Sequence, residues 1–132
     1  MLKRSANTST VTVIEVLPMR AMRLKKLPDL CQNMAMPAVA VTDSNNLFAA
    51  LEFSVSASAA GVQPILGCQI DLAYAPVPLG GRKPPPAPIV LLAQSETGYE
   101  NLLKLNPCLY LQADGELPQV SLAVLKRFHK DL

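Results

Sequence analysis

The stretch Pro37-Ala38-Val39-Ala40-Val41-Thr42-Asp43-Ser44-Asn45 constrains the fold more than any other part of the chain. Five uncharged residues, alternating small and β-branched, lie between a proline and three residues suited to capping a helix. A short apolar run with punctuation on both sides fits a strand that is covered on both faces. Such a strand needs neighbours in a sheet and helices packed on it, so a coiled coil or a simple bundle is excluded.

The flanking segments supply those neighbours. Asp43, Ser44 and Asn45 are all competent N-caps. They lead into a helix whose apolar positions are Leu47, Phe48, Leu51 and Val55, with Glu52 on its surface. An Ala/Ser tail stops at Gly61, a helix C-terminal signal. Gln63 to Leu72 reads as the next strand and Ile89 to Ala93 as a third buried-type strand. Upstream, Leu24, Leu27, Leu30, Cys31 and Met34 recur at helical steps and predict a helix from Ala21 to Met34. Pro28 either kinks that helix or starts a second one, with Leu27 pushed out of helical geometry. Thr10 to Val16, TVTVIEV, is β-branched enough to form a strand.

After the third strand, Ser95 caps a helix through about Asn106, with Tyr99, Leu102, Leu103 and Leu105 as its apolar set and Pro107 as its end. Ser121 caps a final segment to Leu132 that carries Leu122, Leu125 and Phe128 on one face. Residues Tyr74 to Pro88 hold six of the twelve prolines and read as an inserted surface loop. A ligand for a proline-binding module is the alternative there. Strands alternating with helices predict an α/β protein built on about four mainly parallel strands.

The 132 residues fit one domain. Half are hydrophobic while only 5% are aromatic, with no Trp, so the core is aliphatic. A net charge of +2 is too mild to announce a nucleic-acid or lipid binder. Cys31, Cys68 and Cys108 are far apart and odd in number, which argues for reduced thiols rather than a disulfide framework or zinc site. The run Val11–Leu17 is too short and polar for a signal segment, and no span approaches the ~20 apolar residues of a membrane helix. The sequence reading is therefore cytoplasmic, without membrane association.

Chemistry-bearing residues are sparse. No dinucleotide, P-loop or nucleophile-elbow motif occurs, so no cofactor is expected. The single His129 lies among Lys126, Arg127 and Lys130 and reads as a solvated helix end, not a base with a positioned partner. The basic residues of Arg20–Lys26 and Lys126–Lys130 read as solvated helix faces. Asp43 ends a strand, where α/β proteins place their sites. It is either a metal or acid–base group or a helix N-cap. The cap is the default, because it needs only backbone N–H groups.

From Ala40 to Leu72, AVTDSNNLFAALEFSVSASAAGVQPILGCQIDL resembles the N-terminal PHP (polymerase and histidinol phosphatase) domain of bacterial replicative DNA polymerase III alpha subunits. The likeness extends back through MRLKKLPDLCQNMAMPAVA and forward through APIVLLAQSETGYENLLKLN. It divides the chain into a divergent segment, 1–21, and a partial PHP domain, 22–132, with an insertion at 74–88. The resemblance implies the first half of a distorted β/α barrel, in a family whose partners are other polymerase III subunits and DNA.

It also implies where a metal site would lie. Active members carry an HxH-type motif on the first strand, and here that region holds Thr8, Thr10 and Thr12. The next motif is TDH-like, and here it is Thr42-Asp43-Ser44. The third strand's glycine-x-glutamate is Gly67-Cys68-Gln69. Of these positions only Asp43 keeps a ligand-capable side chain, so no metal site is expected. The family's polymerase domain has no counterpart in the sequence. The chain reads as a catalytically silent structural or docking segment. A residual metal-dependent phosphoesterase using Asp43, and an independent module binding through the Pro-rich loop, are the alternatives.

Overall fold

The computed structural model describes residues 26–75, 79–82, 84–111 and 117–132, together with the backbone of 12–16. Among the described residues five strands and four helices follow one another: β1 (Thr12–Val16), α1 (Leu27–Asn33), β2 (Ala38–Ser44), α2 (Ala50–Ala59), β3 (Gln63–Ala73), β4 (Ala87–Leu92), α3 (Glu96–Leu111), β5 (Val120–Ser121) and α4 (Leu122–Phe128). The strands form one mixed sheet in the order β1-β2-β3-β4, with β5 paired to the far end of β3.

The first three strands are parallel, in the register Val16↔Asp43 and Asp43↔Cys68. β1 lies within the span Thr10 to Val16 that β-branching marks out. β4 is antiparallel to β3, with Ile70 opposite Ile89. The reason is the connection: it is Pro-rich and shows no helix among its described residues, and a parallel return needs a crossover element. β4 also differs from the buried-type strand expected at Ile89–Ala93. It starts at Ala87 and its exposure alternates, with Pro88 and Val90 on the solvent side.

All four helices pack on one face of this sheet. Paired residues in adjacent strands share a face, so Val39, Val41 and Asp43 align with Pro64, Leu66 and Cys68, and Ile70 continues that face along β3. Leu27, Cys31, Val39, Val41, Phe53, Ala57 and Val62 form one buried cluster under α1 and α2. Cys68, Ile70, Leu102, Leu105, Leu109, Val120, Val124 and Leu125 belong to a second, under α3 and α4. The aliphatic core expected from composition is therefore split in two.

Several helix boundaries correct the sequence reading. Pro28 starts a helix rather than kinking one. It occupies the first turn of α1, where its missing N–H has no intrahelical partner anyway, and Leu27 is helical. The start of that helix near Ala21 lies outside the described residues. Pro107 does not end α3, which runs on to Leu111. The stripe Leu102, Leu105 and Leu109 is buried across the proline, and that packing outweighs the lost hydrogen bond at Leu103. Leu103, in the expected apolar set, is exposed. In α4 the buried positions are Val124 and Leu125, while Leu122 is exposed and Phe128 half-buried beneath the Arg127 guanidinium, 5.6 Å from its ring centroid.

The caps follow the sequence more closely. Ser95 Oγ accepts from Gly98 N–H at 3.3 Å, and Ser121 Oγ accepts from Val124 N–H at 3.4 Å. Gly61 takes φ +72° just past α2, a left-handed closing position that favours glycine. The last turn folds back over the start of α3. Asp131 C=O accepts from Gln94 N–H at 2.9 Å and its carboxylate from the Ser95 hydroxyl at 2.7 Å. Asn101 donates to Lys130 C=O at 3.0 Å. A Cβ at Gly98 would lie 2.1 Å from the Asp131 oxygen, so only glycine lets the two segments meet.

Candidate functional site

The carboxyl ends of β2 and β3, with the loop that follows β2, are where this sheet would place a site. Asp43 stands there, 7% exposed, one residue before the end of β2. Its Oδ2 accepts the Ala49 N–H at 2.8 Å. Ala49 is the N-cap residue of α2 and has no capping side chain of its own. The carboxylate therefore satisfies a donor at the helix start from six residues upstream, where the helix dipole also favours a negative charge. Of the two readings open for Asp43, this geometry matches the cap, delivered from the strand rather than from the adjacent position. Ser44 and Asn45 do not cap α2; four more residues pass after Asn45 before the helix begins at Ala50.

Those intervening residues are fastened. Asn45 adopts φ +58°, a left-handed turn that Asn tolerates. Its N–H donates to Gln69 C=O at 2.7 Å, and its carbonyl accepts the Tyr110 hydroxyl at 2.8 Å. The Asn46 side chain donates to Ser44 C=O at 2.9 Å and accepts from Phe48 N–H at 3.0 Å. The Asn45-Asn46 dipeptide is a turn signal in the sequence. The reach of Tyr110 across 65 residues has no sequence signal.

Alternation along the strands puts Thr42, Ser44, Gln69 and Asp71 on the face opposite to Asp43, away from the described helices. Ser44 and Gln69 are register partners there. Thr42 is buried, and its hydroxyl oxygen has no hydrogen-bond partner. Hydroxyl and amide oxygens of this kind are weak donors to a borderline or hard cation without a carboxylate or imidazole beside them. The one carboxylate of the TDH-like motif faces the helices. No cluster of three or more His, Cys, Asp or Glu among the described residues is arranged to hold a metal ion. The residues present at the family's metal position thus do not fit a metal. Thr12 falls in β1, while Thr8 and Thr10 lie outside the described residues.

Cys68 sits beside Asp43 in the register and is buried. Burial pushes its thiol up to about 11, the Asp43 charge adds to the rise, and the Asn45 and Asn46 backbone amides act against it. Cys31 is raised by burial alone. A thiol held protonated in this way is not a nucleophile near neutral pH. All three cysteines are free thiols, as their spacing suggests. His129, the C-cap of α4, is exposed, its Nδ1 2.7 Å from Lys126 C=O.

The PHP domain family matches residues 17–132. The chain belongs to the PHP family. Within that family it is similar to subunits of one polymerase. It is 40% identical over 102 residues to DNA polymerase III subunit alpha of Caulobacter vibrioides, covering 75% of this chain and 9% of that protein. The Rickettsia felis subunit is 36% identical over 97 residues, 74% of this chain and 8% of the relative. The Thermus aquaticus subunit is 35% identical over 100 residues, 73% and 8% respectively. The chain thus spans less than a tenth of the length of these relatives. As a PHP-family α/β sheet homologous to DNA polymerase III alpha subunits, it matches the fold and family read from the sequence. No helix among the described residues is long and apolar enough to cross a membrane.

Proposed function

We propose that this PHP segment is a structural and docking element of a DNA polymerase III alpha subunit, working in the cytoplasm with other polymerase III subunits at DNA, without metal-dependent phosphoesterase chemistry of its own. One observation carries the reading. Asp43, the single ligand-capable residue at the family's motif positions, gives its carboxylate to the Ala49 N–H in the helix-covered layer. The positions around it carry Ser44 and Gln69, which lack the charge to bind a catalytic cation. What remains is a rigid, hydrogen-bonded surface at the end of β2.

Incubating the full chain with a single-stranded oligonucleotide and a phosphomonoester, in Mn²⁺ and then in EDTA, tests the silent reading. Turnover equal to a protein-free control in both is the expected result. EDTA-sensitive turnover that Asp43→Asn abolishes would establish the residual phosphoesterase instead. Coelution with the proofreading subunit of a DNA polymerase III supports docking, and failure to coelute with any polymerase III subunit removes it.

A further inference from the structure

Opposite buried Phe53, helix α2 and the turn before it leave three bulky apolar residues on the solvent side. Phe48, two residues ahead of the helix, is 88% exposed, Leu51 is 74% exposed and Val55 is 63% exposed. Leu51 and Val55 lie one turn apart on one stripe of α2, the next turn of that stripe holds exposed Ser58 and Ala59, and Phe48 stands in the turn that leads into it. On the same side of the sheet α1 adds exposed Leu30 and Met34. The Gln32 side-chain amide donates to Ala60 C=O, which ties α1 to the end of α2.

Together these side chains present roughly 500 Å² of apolar surface, near the upper end of what a soluble monomer leaves open. A standard protein–protein interface hides about 800 Å² on each partner, somewhat over half of it apolar. The face is therefore about the size that one partner must contribute.

We infer that this face binds a second copy of the chain, with the two α2 helices antiparallel across a two-fold axis level with residue 53. A two-fold contact has to be complementary to itself. The stripe meets that condition because it is bulky at one end, Phe48 and Leu51, and small at the other, Ser58 and Ala59. Antiparallel packing lays Phe48 of each copy over Ser58 of its mate and sets Leu51 against Val55. A parallel pair would stack Phe48 on Phe48 and leave a gap at Ser58, losing dispersion contacts. The inference stands apart from the polymerase reading, since it rests on the shape of α2 and not on the family.

Sedimentation velocity of the full chain from about 1 to about 100 μM is the test. The expected result is a concentration-dependent shift from monomer to dimer. The double variant L51E/V55E stays monomeric throughout, with unchanged circular dichroism and melting, because both positions are exposed in the monomer. For the orientation, L51C and V55C are made separately in a Cys108→Ser background and oxidised alone and mixed. The mixture gives the cross-linked dimer in at least tenfold excess over either protein alone. A monomer at every concentration, or a dimer that L51E/V55E leaves intact, overturns the inference. Cross-linking of L51C chiefly to itself overturns the antiparallel arrangement.

Discussion

The two halves of the helix layer solve the same packing problem with opposite faces. Under α3 and α4 the large aliphatic residues point inward: Leu102, Leu105 and Leu109 fill a cluster with Ile70 and Val120. Under α2 the inward set is Ala50, Phe53 and Ala57, one large residue between two small ones, while Phe48, Leu51 and Val55 face out. A period of 3.6 reveals that a stripe exists. It does not say which of two stripes meets the sheet when both are apolar. In α2 the close approach of the helix to β2 and β3 selects the alanine stripe, and the richer stripe is left outside.

The contrast can be broken most sharply at Phe53, which is fully buried. Phe53→Ala is expected to cost about 3–5 kcal/mol in urea unfolding, because α2 has no second large residue to close the cavity. Leu109→Ala, with several leucines around it, should cost about 2–4 kcal/mol and sit at the lower end of that span. Equal losses at the two sites would show that the two clusters respond alike.

A smaller effect separates the end of β2 from an ordinary surface carboxylate. Asp43→Ala leaves the Ala49 N–H without its partner and should lower stability by about 1–3 kcal/mol. Asp43→Asn keeps an acceptor and should lose under half as much. If both variants match the parent protein, the carboxylate is not capping α2.

Cys68 lets pH probe the cluster under α3 and α4. Its folded value lies near 11 against 9.0 for a free thiol. The protonated form is the one the fold favours, so its contribution is complete below pH 9 and is lost as pH rises through 11. The urea midpoint of the parent should therefore fall more between pH 9 and 11 than that of Cys68→Ala. Identical slopes would contradict the burial. The smallest effect belongs to the outward stripe. At submicromolar concentration Leu51→Ala should change monomer stability by less than about 0.5 kcal/mol, as for exposed positions generally.

Much of this was legible in the residues. The run Ala38–Thr42, the caps Ser95 and Ser121, and Gly61 past α2 each carry a local signal that the fold uses as read. The errors share a cause, which is that tertiary contact overrides local rules. Pro107 lies inside α3 because Leu105 and Leu109 are pinned on either side of it. Leu103, counted in the apolar set, is exposed because the sheet meets the stripe of Leu102, Leu105 and Leu109 instead. At the site, the sequence supplied Asp43 and both of its possible roles. The choice between them depended on a helix start six residues away, which no motif records.

β3 has a standing that no other element shares. It bonds to β2 along Gln63–Gln69, to β4 along Gly67–Leu72 and to β5 at its end. Among the described strands it is the only one in hydrogen-bonded contact with both halves. Neither cluster can then open alone without leaving β3 attached to the other. Fraying stays local until that strand lets go, and its release unfolds both halves together. Amide protons along Ile65–Ile70 should accordingly exchange only with complete unfolding, which makes this one strand the hinge of the molecule's cooperativity.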